Sequence, residues 1–227
     1  MKLPPAPHSW KLSPRQAIAV QKEMARLVSQ SPPGGEINLI AGLDAAFSPD
    51  GRHCLSAVVL WDMRLRQVVE QHTARRPLTF PYIPGLLSFR EIPALLAALR
   101  KLKQRPDALM CDGQGLAHPR RFGIACHLGV ICNLPALGCA KSRLIGTYEE
   151  PARQRGSCAA LEDKGEIIGS VLRTQTSVKP VFVSIGHRMG LATAGRIVLD
   201  CAIRYRLPEP TRLADRLVAA AKRAMVG

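Results

Sequence analysis

The chain has 227 residues, with 32 Lys and Arg against 17 Asp and Glu, and so a formal net charge of +15. Apolar residues make up 47% of it but aromatic ones only 4%, which calls for an aliphatic core and excludes general disorder. Positive charge on this scale points to a polyanionic partner, of which nucleic acid is the commonest.

In chain order, Met1 to Pro7 holds no apolar run of signal-peptide length. Ala57 to Trp61, the longest later run, is far too short to cross a bilayer, so the expectation is a soluble cytoplasmic protein with no membrane partner. Ser13-Pro14-Arg15-Gln16 predicts a helix start with a capping box, and Ala17, Val20, Met24, Leu27 and Val28 then line one face. Ser31-Pro32-Pro33-Gly34-Gly35 breaks that helix. Ile37 to Phe47, Leu55 to Trp61 and Gln67 to His72 read as three extended runs, the first two joined by the turn Ser48-Pro49-Asp50-Gly51. Connections this short force neighbouring strands to run antiparallel.

From Phe89 the pattern alternates. Ala94 to Lys103 predicts a helix, Asp107 to Cys111 a strand, Arg121 to Ile131 a helix and Ala136 to Ala140 a strand. Glu166 to Leu172 and Pro180 to Ile185 then read as extended, and Leu191 to Tyr205 and Thr211 to Met225 as helical. The fold class expected is mixed α/β: three antiparallel strands, then βα units adding parallel strands to the same sheet, with helices flanking it, in one domain over residues 1–227. The seven cysteines, odd in number and without a C-x-x-C pair, fit neither a disulfide framework nor a structural zinc site and indicate a reducing compartment.

Asp44 interrupts the apolar strand Leu39 to Phe47, where an ionised carboxylate is costly unless something positive meets it. Asp112 ends the apolar run Ala108 to Cys111 and precedes Gly113-Gln114-Gly115; open α/β sheets bind ligands beyond the carboxyl ends of such strands. If the two strands are neighbours, the carboxylates converge and need a divalent cation between them, with magnesium the natural ion and Glu91 a third acidic group. Asp112 also fits a plain strand-ending turn, and Glu91, three residues after Ser88, also fits a capping box. His118, in the glycine-rich loop, and Lys141, closing the strand Ala136 to Ala140, are cationic candidates for a phosphate; a solvated helix start and an exposed strand end compete with that role. His53, His72 and His127 read as surface or packing residues.

Gly113 to His118 lacks the third glycine of a dinucleotide fingerprint. There is no Walker-type loop, no Gly-x-Ser-x-Gly and no H-E-x-x-H. Pro81 and Pro84 stiffen the loop Phe80 to Phe89 and hold Tyr82 and Ile83 outward as an apolar tip, suited to a wedge between stacked bases; a loop packed under the core is the competing account.

Six stretches now stand together: Ala41 to Phe47, Pro81 to Glu91, Asp112 to Arg121, Gly138 to Leu144, Gly186-His187-Arg188 and Arg206 to Arg212. In these, and in their order, the chain resembles the endonuclease V family of repair nucleases. The resemblance implies a ribonuclease H-like core over about residues 37–205. It implies a monomer acting on single- or double-stranded DNA that contains deoxyinosine, with cleavage of the second phosphodiester bond 3′ to the lesion, leaving 3′-hydroxyl and 5′-phosphate ends. Asp44, Glu91 and Asp112 match the acidic triad that holds Mg2+, with Mn2+ a workable substitute. Tyr82, within Pro81-Tyr82-Ile83-Pro84, matches the strand-separating wedge, and His118 and Lys141 fall at positions linked to catalysis. Gly85, Leu86, Leu87, Gly113, Gly115, Ile124 and Leu144 would surround the flipped base. Asp215 stands where some members have histidine, which leaves its part in the metal site open. The rival readings are an endoribonuclease acting on inosine in RNA and a nucleic-acid-binding module with a decayed site; the intact acidic triad argues against the second.

Overall fold

The computed structural model describes residues 1–31 and 34–225; the proline pair of the expected helix break lies outside them. Ser13 caps α1 (Pro14–Met24) as the sequence predicts: its N–H donates to Gln16 Oε1 at 2.8 Å while its hydroxyl accepts from the Gln16 N–H. A 3-10 turn, Ala25–Leu27, ends the segment.

β1 (Leu39–Phe47), β2 (His53–Asp62) and β3 (Gln67–Pro77) form the antiparallel meander, with Leu39 opposite Asp62 and Phe47 opposite Cys54. β4 (Ala108–Cys111) then pairs with β1, and β5 (Ala136–Ala140) with β4, both in parallel. Beyond β5 the expected parallel additions do not occur. β8 (Val181–His187) runs antiparallel to β5, followed outward by β7 (Glu166–Leu172) and β6 (Cys158–Asp163), giving the order β3-β2-β1-β4-β5-β8-β7-β6. Among the described residues no helix lies between β5 and β8 to carry a parallel crossover, and β6 turns straight into β7 through Lys164 and Gly165, at φ 55° and 79°.

α2 (Leu87–Leu99) starts well before the expected Ala94 and runs through Pro93. Phe89, Ile92, Leu95, Leu96 and Leu99 are all buried along it, so packing outweighs the hydrogen bond that the proline cannot make. The Ser88–Glu91 capping box does not form, because Ser88 lies inside the helix and its hydroxyl meets His127 Nδ1 at 3.0 Å. α3 (Ile124–Cys132) begins later than expected because Arg121 sits in the left-handed region at φ 53°. α4 (Leu191–Cys201) is shorter than expected, and α5 (Glu209–Arg223) follows Pro208.

Alternation along β1 sets the layers. Ala41 and Leu43 pack with α2 and α3 on one face, while Ile40 joins the cluster that α4 completes on the other. α5 covers Leu55, Ala57 and Val59 of β2 with Ala214 and Val218. Gly42 lets α5 lie against β1: a Cβ there would stand 2.2 Å from the Pro210 carbonyl carbon. No helix among the described residues is long and apolar enough to cross a membrane.

Candidate active site

Because β1 and β4 are parallel neighbours, with Leu43 beside Cys111 and the Asp112 N–H donating to Leu43 O at 3.0 Å, Asp44 and Asp112 emerge at the same end of the sheet. Burial pushes the Asp44 carboxyl up to about 7, the Asp112 charge adding to it, while Asp44 Oδ1 accepts from the Ala45 N–H at 2.8 Å. Glu91, on the second turn of α2, is pushed up to about 8 by burial and then by the charges of Asp44 and Asp112. Lys141, the first residue after β5, holds Nζ 2.8 Å from Asp112 Oδ2 and 3.4 Å from Asp215 Oδ2 on α5. The structure therefore draws Asp215 into the same cluster.

Among the described residues, no three His, Cys, Asp or Glu side chains already close into a coordination shell. The donor set is nonetheless entirely carboxylate oxygen, and burial with mutual repulsion raises Asp44 and Glu91 even against the opposing charges of Lys141 and Arg90. Such a set fits a hard divalent ion such as Mg2+ or Mn2+.

Next to the acids lies a cavity of about 430 Å³. Gly85, Leu87, Gly113, Ile124 and Leu144 line it, together with Ile83, Ser88, Gln114, Asp112, Lys141 and Arg143. Two of the expected wall residues do not. Leu86 is fully buried against Ala17, Phe80 and Phe89, and Gly115 is turned to β8, its N–H donating to Ser184 Oγ at 2.8 Å. Tyr82 also lines the cavity and is 71% exposed, flanked by the exposed Pro81 and Pro84. Ile83 does not share that outward position: it packs toward Phe80 and Phe89, so the apolar tip is Tyr82 alone.

His118 lines the same cavity with both ring nitrogens engaged. Since a carbonyl only accepts, Nε2–H donates to Gly85 O at 3.1 Å, and Nδ1 accepts from the Arg120 N–H at 3.2 Å. Burial pulls this imidazole down to about 4, so it is neutral and clips the glycine-rich loop to the proline-stiffened one. His127 is a packing residue, fully buried between Ser88 and His8.

Two arginines that the sequence did not single out brace this arrangement. Arg90 donates from Nη1 to Phe80 O at 3.1 Å, and its guanidinium lies 4.6 Å from the Phe47 ring centroid and 5.8 Å from that of Tyr82. Arg206 donates from Nη2 to both Lys141 O and Pro180 O, fixing the backbone under Lys141. Their only signal in the sequence was membership of the motifs around Glu91 and Pro208.

A mixed sheet in which an antiparallel meander is extended by two parallel strands, with one acid within β1 and another just after the neighbouring β4, defines a protein of the ribonuclease H-like class. The profile of the endonuclease V family matches residues 22–216. Endonuclease V of Trichormus variabilis is 51% identical over 214 residues, covering 94% of this chain and 97% of the relative. Among solved structures, endonuclease V of Streptomyces avermitilis superimposes with a TM-score of 0.92 at 42% identity, covering 99% of this chain and 98% of that one. Endonuclease V of Ciona intestinalis, solved in complex with a 24mer DNA containing an inosine followed by a ribo-adenosine, gives a TM-score of 0.81 at 26% identity, covering 93% and 98%. The chain belongs to the endonuclease V family of nucleases.

Proposed function

We propose that this protein is a metal-dependent DNA repair endonuclease that recognises deaminated bases, chiefly deoxyinosine, and cuts the second phosphodiester bond 3′ to the lesion, leaving 3′-hydroxyl and 5′-phosphate ends. The observation that carries this reading is the convergence of Asp44 and Asp112 from neighbouring parallel strands, beside a cavity lined in part by an exposed tyrosine. Packing of every layer on one sheet supports treating the chain as a single domain.

Asp44, Asp112 and Glu91, with Asp215 alongside, would hold Mg2+ or, in its place, Mn2+. A divalent ion there supplies Lewis-acid polarisation of the scissile phosphate and acidifies water. Glu91 orients the attacking water and Lys141, already poised between two carboxylates, offsets charge on the phosphate as the bond breaks. Neutral His118 holds the two cavity loops together. Tyr82 fills the gap left by the extruded nucleotide, and a mispaired inosine costs less to extrude than a paired base, which favours the lesion. Glycines and aliphatic side chains form part of the cavity wall, where backbone groups would read the hypoxanthine edge, beside polar side chains such as Gln114 and Ser88.

The test is an end-labelled duplex carrying one inosine, incubated with and without Mg2+ and with Asp44→Asn and Asp112→Asn. Nicking at the expected bond that vanishes in EDTA and in both variants supports the assignment; nicking that persists in either condition overturns it. The same strand built as RNA decides between the deoxyribonuclease and the endoribonuclease.

A further inference from the structure

Two large aromatic side chains stand far out in solvent among the described residues, and the cavity accounts for one. Tyr82, 71% exposed, belongs to the layer of α2; Tyr205, 53% exposed, lies between α4 and α5 on the opposite face of the sheet. Tyr205 is held in place from both sides. Its own carbonyl accepts from Gln175 Nε2 at 3.3 Å, and the next carbonyl, of Arg206, accepts from Thr174 Oγ1 at 2.6 Å. The guanidinium of Arg212 lies 4.4 Å from the ring centroid and is itself held by Glu209. The ring therefore stands on an anchored backbone and is backed by a cation.

Its position ties it to the acidic cluster by two routes. Arg206, the next residue, grips the carbonyl of Lys141. Arg212 precedes Asp215 by three residues on α5, one helical turn along the same face, and Asp215 meets Lys141 at 3.4 Å. Lys141 also borders the lesion cavity, so the order in space is Tyr82 and cavity, Lys141 with the acids, then Arg206, Arg212 and Tyr205. Arg204 adds a further exposed cation. A ring interleaved with arginines is suited to stack a nucleobase while its neighbours meet the phosphates.

We propose that Tyr205, backed by Arg212, is a stacking platform for a nucleobase on the strand that leaves the acidic cluster on the side away from the lesion cavity. This rests on the reading of the cavity as the seat of the flipped base. The substrate extends past the cut, and the platform contributes to binding only when it does.

The test places 2-aminopurine at successive positions 3′ to the cut in an inosine-containing oligonucleotide and follows fluorescence on binding in EDTA. Wild type and Tyr205→Phe should quench it at one or two positions, and Tyr205→Ala should not. Stacking of this kind makes Tyr205→Ala weaken binding of the long oligonucleotide by about 5- to 150-fold, with the gap narrowing once the strand is trimmed to end just beyond the cut. Quenching by Tyr205→Ala equal to wild type, or a loss of affinity independent of strand length, would overturn the platform. Failure of the wild type to nick the inosine strand would instead overturn the parent reading and the platform with it.

Discussion

Burial of Asp44 and Glu91 makes the acidic cluster costly to ionise while no cation occupies it, and that cost has a sign that can be measured. Their ordinary values, 3.8 and 4.5, rise to about 7 and about 8 in the folded chain. Below pH 4 both states carry the protons and nothing is lost. As pH rises from about 4 toward 8 the unfolded chain releases them first, so the native state is progressively destabilised. In EDTA, Asp44→Asn should therefore melt above wild type at pH 8, by a few degrees, since 1 kcal/mol corresponds to about 2–4 °C at this size. That advantage should fade at pH 4, and Mg2+ should raise the melting point of wild type more than that of the variant. Equal melting curves at pH 8 would count against the electrostatic account. Asp44 was legible in the sequence for the same reason: a carboxylate in an apolar strand advertises its own cost. Arg90 and Arg206 were not, because their partners are backbone carbonyls 10 and 65 residues away, and any residue type carries a carbonyl.

At the scale of elements, the meander and the two parallel strands that place the acids could be read from apolar runs and short connections. The errors share a cause in tertiary packing. α2 runs through Pro93 because its buried face outweighs the proline's local cost. β6 escaped because only Leu161 of its six residues is buried and Ala159-Ala160-Leu161-Glu162 has the composition of a helix, while pairing with β7 decides its conformation. Contact between β1 and α5 was equally invisible, although Gly42 makes it testable. A methyl group there would meet the backbone of Pro210, which cannot swing aside as a flexible side chain would. Gly42→Ala should push α5 away from β1 at a cost of about 1–3 kcal/mol or more. Because α5 carries Asp215 toward Lys141, nicking should fall even at temperatures where circular dichroism shows the variant folded. A variant as stable and active as wild type would show that α5 does not lie where the close approach puts it.

Taken as a whole molecule, the protein holds its acids within a body of net charge +15. Four carboxylates lie near enough at one end of the sheet to feel one another's charge, yet a polyanion must approach that end, so the surrounding cations have to dominate at long range while the acids act only at contact. Lys141, Arg143, Arg206 and Arg212 lie beside the cluster or within a turn of it and supply that field. Neutralising roughly 5 or 6 phosphates releases their counterions, so the logarithm of the binding constant for an inosine duplex should fall with the logarithm of salt concentration at a slope of about −4 to −6. The measurement is made in EDTA, so that binding is read without cleavage, and at fixed pH, so that Asp44 and Glu91 keep one protonation state. Arg212→Gln should flatten the slope by about one unit if its guanidinium meets a phosphate, whereas a slope near zero in the wild type would show that recognition does not run through the charge that dominates this sequence.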